Sequence, residues 1–378
     1  MMNTTDSRRR FLKTSGRIAA AIAAGQTFPA LAGTSPTVSA ISFDQCQAMT
    51  PIQSAQNSTL VQQAWKRLQN DIASIKNPRL RSTITDIYND PTPRLTADID
   101  IKSRQTLRRE LAAKNYTDSS WENLLPNVPH DPKKLMPFIA APGSGYYSHH
   151  AYPGGLVTHV ATNVQITKSI IDTYTKVYGY SVDRDLALSA QLLHDLHKPY
   201  VFQWQEDGSS RKEQSLGGTG EHHCLSAAEL IARHAPPELV IAMISAHQAA
   251  SNQENEKQLV GWLDAAAIIA GVDPVAYGLI SSDRRLPDLP RQEGFICHLG
   301  DHDFVLSVPA VVATLPIMRE IAVTDYKISE SDLNGKVFNS LRNHIYSTYS
   351  AMRLHEALSK AGKNEVRRLM FLSVLPVA

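Results

Sequence analysis

The chain has 378 residues, 43% of them hydrophobic and 20% charged, so its composition is that of a globular protein with room for one large domain or two. Residues 1–32 hold five basic residues, and the remainder of the chain has 33 basic and 35 acidic residues. The main body therefore lacks the basic excess typical of polyanion binding, which excludes nucleic acid as an obligate partner but not a small phosphate ester.

The first predicted element is an export signal over residues 1–32. Residues 7–13 read Ser-Arg-Arg-Arg-Phe-Leu-Lys, which resembles the consensus of a twin-arginine (Tat) signal peptide, and Ala30-Leu31-Ala32 fits a cleavage site. The apolar stretch between them is shorter than the ~20 residues that span a bilayer, so we expect no permanent membrane anchor. The resemblance implies the Tat export machinery as a partner and a periplasmic or other extracytoplasmic location after export.

Helical periodicity dominates the rest of the chain. Residues 33–135 are predicted to form an irregular linker, up to about residue 58, and then an N-terminal helical region in which apolar residues recur every three to four positions. Residues 286–378 are predicted to form a C-terminal helical region of unknown role. Between them, residues 136–285 are predicted to form a succession of helices, at 157–177, 184–196, 223–234, 239–248 and 257–270. The predicted fold class is therefore all-α.

Histidines are concentrated in the central region. Nine of the fourteen lie between positions 149 and 247, which is more than an even distribution would place there. The adjacent pair His194-Asp195 offers an imidazole nitrogen and a carboxylate oxygen to one site, and His159 can join them from another helix. A mixed set of this kind suits iron or manganese best, with zinc, nickel, cobalt or magnesium as further candidates.

Two motifs carry a resemblance to a known family. Gly154-Gly155-Leu156-x-x-His159 and His194-Asp195-x-x-Lys198 resemble the HD superfamily of metal-dependent phosphohydrolases, and the similarity extends over residues 140 to 280. It implies an HD-domain helical bundle at residues 136–285 that binds one or two divalent metal ions. The ligands it implies are His159, His194, Asp195, His222, His247 and Asp273.

Several of these assignments have alternatives. Asp273 ends an alanine-rich apolar helix, as the last ligand of the family tends to do, but Asp264 lies on the same segment. Of the adjacent histidines 222 and 223, the first is preferred because it directly follows Gly-Glu. His197 occupies a position where relatives usually have glycine, and we expect it to narrow or alter the pocket.

The resemblance also implies a function. We expect hydrolysis of a small phosphate monoester or diester by metal-activated water, with Asp195 and Lys198 in catalytic roles. Lys198 and His150 are predicted to contact the substrate. The alternatives are a di-iron oxygenase of the same superfamily, which the ligand set alone does not distinguish, and a non-catalytic sensing or binding domain.

Overall fold

α-Helices make up nearly all the regular structure of the protein. The computed structural model describes residues 38–95, 101–127, 135–288 and 291–377. The predicted export signal and its cleavage site lie outside the described residues. The only paired strands in the described part of the chain form a short antiparallel hairpin of Ser215–Leu216 with Thr219–Gly220. The prediction of an all-α fold is therefore confirmed.

The N-terminal region is helical from the start of the described chain. Its helices are α1 (Phe43–Ala48), α2 (Pro51–Asn57), α3 (Thr59–Ala73), α4 (Pro78–Asn89), α5 (Ile101–Ala113) and α6 (Trp121–Leu124). The expectation of an irregular linker up to residue 58 is wrong over 43–57. Both α1 and α2 begin with a capping box, in which Ser42 pairs with Gln45 and Thr50 pairs with Gln53. Each box satisfies backbone N–H groups that a helix start leaves free.

The central helices surround the candidate site. They are α7 (Gly155–Tyr178), α8 (Arg184–Leu193), α9 (Lys198–Val201), α10 (Glu221–Ala232), α11 (Pro237–Ile244), α12 (Gln253–Ala270) and α13 (Arg291–Gly300). Helix α3 packs on α7, and α13 packs on α7, α8 and α11. Helix α13 therefore belongs to the central bundle, although its residues fall within the predicted C-terminal region.

The C-terminal helices are α14 (Phe304–Tyr326), α15 (Lys336–Ala361) and α16 (Lys363–Ser373). Helix α15 packs on α14 and α16, and it also contacts α1, α2 and α3. Residues 39–378 form one compact unit, so the boundaries predicted near 135 and 285 do not separate independent bodies.

Arg342 of α15 connects the C-terminal region to a loop of the central region. Its guanidinium is fully buried, and Cζ lies 4.7 Å from the ring centre of Tyr146 and 5.5 Å from that of Tyr147. The Tyr147 hydroxyl donates a hydrogen bond to Asn334 (3.0 Å). These cation–π and hydrogen-bonding contacts hold the loop that leads to His149 and His150.

One apolar stretch, Gln292–Tyr326, has the length and composition of a membrane span, with a mean hydropathy of 1.6. It contains α13, which packs inside the central bundle, and α14, which packs on α15. Some of its apolar side chains are therefore buried against other helices of the fold. Phe304, Val305 and Val312 on α14 are nevertheless exposed.

Candidate metal centre

The glycine pair at the start of α7 brings this helix against a histidine-bearing loop. Gly154 has a φ of +82°, in the left-handed region that favours glycine. A Cβ on Gly155 would lie 1.7 Å from the carbonyl oxygen of His150, so only glycine fits there. The close approach places His159, in the second turn of α7, directly beneath the loop.

Four side chains form a first donor set, contributed by α7, the turn after α8 and the turn after α13. Nε2 of His159 lies 3.3 Å from Nε2 of His194 and 3.1 Å from Oδ2 of Asp195. Oδ1 of Asp301 lies 3.3 Å from both imidazole nitrogens. Ligands at ~2.0–2.2 Å from one ion lie about 3.0–3.6 Å apart, so these four atoms have the spacing of a coordination shell.

The second oxygen of Asp195 faces a second set of histidines. Oδ1 lies 3.3 Å from Nε2 of His222 on α10 and 3.8 Å from Nε2 of His247, which follows α11. His222, His223 and His247 have nitrogens within 4.8 Å of one another. Asp195 therefore lies between two groups of imidazoles, with one oxygen toward each.

Hydrogen bonds fix the orientation of two of these imidazoles. Nδ1 of His194 donates to the carbonyl oxygen of Gln191 (2.7 Å), which leaves Nε2 directed at the carboxylates. Nδ1 of His222 donates to Oε1 of Glu213, which also accepts from the backbone N–H of His222 (3.1 Å). Partners of this kind set the tautomer of a metal-binding histidine and increase its basicity.

The two adjacent histidines of α10 have different surroundings. His222 contacts Asp195, as described above, whereas Nδ1 of His223 contacts the hydroxyl of Thr219 (2.6 Å). The ring of His223 stacks on that of His247, with centres 3.6 Å apart. The geometry therefore favours His222 as the ligand and gives His223 a supporting position.

The donor set meets two conditions for holding a divalent cation. Both oxygens of Asp195 are buried: Oδ2 has Lys198 as an ion-pair partner (2.5 Å), whereas Oδ1 faces imidazole nitrogens and accepts no well-aligned hydrogen bond from the described residues. Buried polar atoms of this kind need a partner. Nitrogen and carboxylate donors together suit first-row divalent metals, and the three described cysteines are not among the donors.

The charges of the site also favour a cation. Burial alone would raise the pKa of Asp195, but the charges of His194 and Lys198 outweigh it and hold this pKa well below its usual value. Burial opposes protonation of His194, yet Asp195 and Asp301 raise the pKa of His194 to about 10. The two carboxylates thus stabilise a positive charge between them. A divalent ion held by these residues would supply that charge, and His194 would then bind it without its proton.

Asp301 replaces Asp273 in the predicted ligand set. The carboxylate of Asp273 is exposed at the end of α12 and accepts hydrogen bonds from the backbone N–H groups of Val275 and Ala276. It therefore caps a turn outside the cluster. The alternative, Asp264, is bound by Lys114, Tyr116 and Arg284, and it is not in the cluster either.

Lys198 has a contact that the sequence did not predict. Its Nζ lies 2.5 Å from Oδ2 of Asp195 and donates to the carbonyl oxygen of Gly143 (2.5 Å). The side chain is buried. In this geometry Lys198 holds Asp195 and the loop that begins at Gly143, and its role toward phosphate stays a prediction.

His197 does not enter the cluster. Its ring is fully buried, with Nε2 3.6 Å from Oε2 of Glu229 on α10. Glu229 also accepts hydrogen bonds from the backbone N–H groups of Arg94 and Leu95 (both 3.0 Å). Through Glu229, His197 therefore faces the N-terminal region, and the contacts of its ring do not support the prediction that it narrows the pocket.

His150, predicted to bind substrate, lies beside the first donor set. Its ring centre and that of His149 are each 5.2 Å from the ring centre of His159. Burial and the charge of His159 lower the pKa of His149 to about 3, so its imidazole is neutral. Contact with a substrate stays a prediction for His150.

Comparison with known proteins agrees with this geometry. Residues 156–269 match the HD domain. The matched segment contains His159, His194, Asp195, His222 and His247, whereas Asp301 lies beyond its end. The segment that matches the HD domain therefore contains five of the six clustered donors, and only the structure shows the sixth.

A curated relative is similar to part of this chain. The chain is 35% identical over 99 residues to a dihydroneopterin 2′,3′-cyclic phosphate phosphodiesterase from Methanocaldococcus jannaschii. The similarity covers 26% of this chain and 39% of the relative. The chain thus spans about two fifths of the length of that phosphodiesterase. No solved structure gives a significant match.

Proposed function

We propose that this protein is a metal-dependent phosphohydrolase that cleaves a small phosphate monoester or diester. The observation that carries the proposal is the position of Asp195, whose Oδ2 faces His159 and His194 while Oδ1 faces His222. A carboxylate shared by two sets of ligands is suited to a pair of ions, as in two-metal phosphatases. The HD domain and the similarity to a phosphodiesterase support this reaction class.

The donor chemistry indicates what each residue would hold. His159, His194, Asp195 and Asp301 would hold one ion, and His222, His247 and Asp195 the other, with iron or manganese as the best candidates. Divalent ions bound there would lower the pKa of water and polarise a phosphoryl oxygen.

The residues around the donors keep this arrangement in place. Lys198 restrains Asp195 through its contact with Oδ2 and anchors the adjoining loop at Gly143. Glu213 keeps Nε2 of His222 directed at Asp195. We therefore assign positioning roles to Lys198 and Glu213. Asp195 has the central role in our proposal because both sets of ligands depend on it.

The test combines metal analysis with hydrolysis of simple esters. The purified full chain, loaded with Mn²⁺ or Fe²⁺, is assayed on p-nitrophenyl phosphate, bis(p-nitrophenyl) phosphate and a 2′,3′-cyclic nucleotide. The matched variants are Asp301→Asn and Asp273→Asn, which remove the same charge inside and outside the cluster. We expect Asp301→Asn to lose metal and more than about 100-fold in hydrolysis, because loss of even an outer partner costs ~10–100-fold. Asp273→Asn should retain both.

Three other outcomes separate the alternatives. A metal-loaded protein that hydrolyses none of these esters would contradict the proposal. Bound iron with an oxygen-dependent electron paramagnetic resonance signal would favour an oxygenase. Metal binding with neither activity would favour a sensing or binding role.

We also propose that the protein is exported in folded form by the twin-arginine pathway. The support is the run at residues 7–13. Replacing both Arg8 and Arg9 with lysine keeps the charge and removes the paired arginines. We expect the variant to stay in the cytoplasmic fraction, and an unchanged periplasmic fraction would contradict this route.

A further inference from the structure

His150 is held in an unusual backbone conformation beside the metal centre. Its φ is +55°, which is uncommon for a residue with a side chain. Its carbonyl oxygen accepts hydrogen bonds from the N–H groups of Gly143 (2.8 Å) and Tyr152 (2.9 Å). A Cβ on Gly143 would lie 2.7 Å from Cβ of His150. The surrounding loop therefore imposes this conformation, as is common where strain serves a functional site.

Three donor atoms meet at the ring of His150. Its Nδ1 lies 3.1 Å from Nδ1 of His149 and 3.5 Å from Oδ2 of Asp303. These spacings match those within the first donor set, and they fit ligands ~2.1 Å from one ion. His149, His150, His159 and Asp303 each offer one potential ligand atom, and these four atoms lie within 4.8 Å of one another.

A buried oxygen of Asp303 also indicates that a cation binds at this position. Its Oδ2 is buried and accepts no well-aligned hydrogen bond from the described residues. A hydrogen bond between the rings of His149 and His150 would account for their short contact, but it would leave this oxygen without a partner. A buried carboxylate oxygen is costly to leave unpaired, and a cation among the three side chains provides that partner.

We propose that His149, His150 and Asp303 form a third divalent-cation site next to the two-ion centre. The inference extends the proposed metal centre and rests on it. Two imidazoles and one carboxylate suit the same Mn²⁺ or Fe²⁺ class, with positions left for oxygens from water or phosphate. Since the site has fewer protein donors than the first set, it binds its ion more weakly.

Lys198 couples this site to Asp195. Its Nζ contacts Oδ2 of Asp195 and the carbonyl oxygen of Gly143, and the N–H of Gly143 in turn donates to His150. A phosphate bound across the centre would thus contact both the cations at Asp195 and the cation at His150, which Lys198 connects. Inorganic phosphate is therefore expected to tighten binding at the third site.

The experiment counts bound ions in the full chain. Metal-free protein is titrated with Mn²⁺, and free Mn²⁺ is followed by electron paramagnetic resonance, with and without inorganic phosphate. We expect three equivalents in the wild type, the weakest of them tightened by phosphate. Asp303→Asn and His149→Gln should each lose that equivalent and retain the other two. The matched control is His302→Gln, whose ring nitrogen contacts the carbonyl oxygen of His298 and which should retain all three.

Two results would overturn the third site. One is a wild type that binds no more than two equivalents at saturation, and the other is an Asp303→Asn variant that still binds three. Failure of the proposed function is distinguishable, because it would appear as absent ester hydrolysis whatever the number of bound ions. Thermal unfolding of each variant without metal shows whether it is folded.

Discussion

Glu213 offers a sharp test of how the second donor set is held. Its Oε1 accepts hydrogen bonds from both Nδ1 and the backbone N–H of His222. Burial raises the pKa of Glu213, but the charge and hydrogen bonds of His222 outweigh it and lower this pKa below its usual value, so the group is a carboxylate near neutral pH. Glu213→Gln keeps the shape of the side chain and removes the charge that orients and polarises the imidazole.

The expected loss follows from these contacts. Charge-assisted hydrogen bonds contribute about 1.5–3 kcal/mol and neutral ones about 0.5–1.5 kcal/mol, so the substitution costs on the order of 1–2 kcal/mol at His222. This corresponds to roughly a 10-fold weaker second ion, at the lower end of the ~10–100-fold range for outer partners of metal ligands.

Competition with a fluorescent chelator measures that affinity for Mn²⁺ or Zn²⁺. Glu206→Gln is the matched control because Glu206 is an exposed residue of the same segment. If Glu213→Gln bound both ions as tightly as the control, the assignment of His222 as an oriented ligand would be wrong. Weaker binding of only the ion assigned to His159, His194 and Asp301 would also refute the assignment of His222.

Three further predictions concern the surroundings of the site. Burial raises the pKa of Glu229, but the neighbouring imidazole of His197 and the backbone N–H groups of Arg94 and Leu95 outweigh it and lower this pKa to about 2. Its stabilising contribution is therefore complete above pH 4.5 and is lost as the pH falls toward 2. Glu229→Gln should lower the unfolding free energy at pH 7 by about 3 kcal/mol, as denaturant titration can measure, and flatten its pH dependence below 4.5. His197→Gly should reduce stability in the same assay while leaving the number of bound ions unchanged, because His197 faces Glu229. Arg342→Ala should lower the free energy of unfolding by about 2–4 kcal/mol, because the cation–π contacts are lost and a cavity remains. It should also weaken binding of the ion at His149, His150 and Asp303 more than binding of the other two ions.

Each of these has an outcome that contradicts it. A pH profile of Glu229→Gln parallel to that of the wild type would show that the carboxylate is not the titrating group. Loss of an ion in His197→Gly would place this ring in the metal centre after all. If Arg342→Ala kept the third ion at full affinity, the buried arginine would have no part in holding the loop at Tyr146.

The sequence predicted the parts of the site that lie within local motifs. The glycine pair, His159 and the His194-Asp195 pair have short, fixed spacings, and the structure brings them together as expected. His222 and His247 are further apart in sequence, yet each lies at an end of a helix that the apolar pattern predicts. A catalytic and substrate-contacting role was predicted for Lys198. Its contact with Gly143 was not predicted, because it depends on the path of a loop that the sequence does not indicate.

The last carboxylate could not be predicted in the same way. Asp273, Asp264 and Asp301 all follow or lie on apolar helical segments, and only the packing of α13 on α7 and α8 decides between them. One signal was present: residues 298–303 read His-Leu-Gly-Asp-His-Asp, an unusual density of potential ligands at a helix end. In addition, the Ser42-Gln45 and Thr50-Gln53 spacings of the capping boxes indicate helices in the segment predicted to be irregular.

The two ends of the described chain pair with each other. The N–H of Ile41 donates to the carbonyl oxygen of Ser373, and the carbonyl oxygen of Ile41 accepts from the N–H of Leu375. Because residues 373–375 are synthesised long after Ile41, this pairing can form only after they have left the ribosome. Joining the ends by a short linker and opening the chain at an exposed loop should give a circularly permuted protein with the same metal centre.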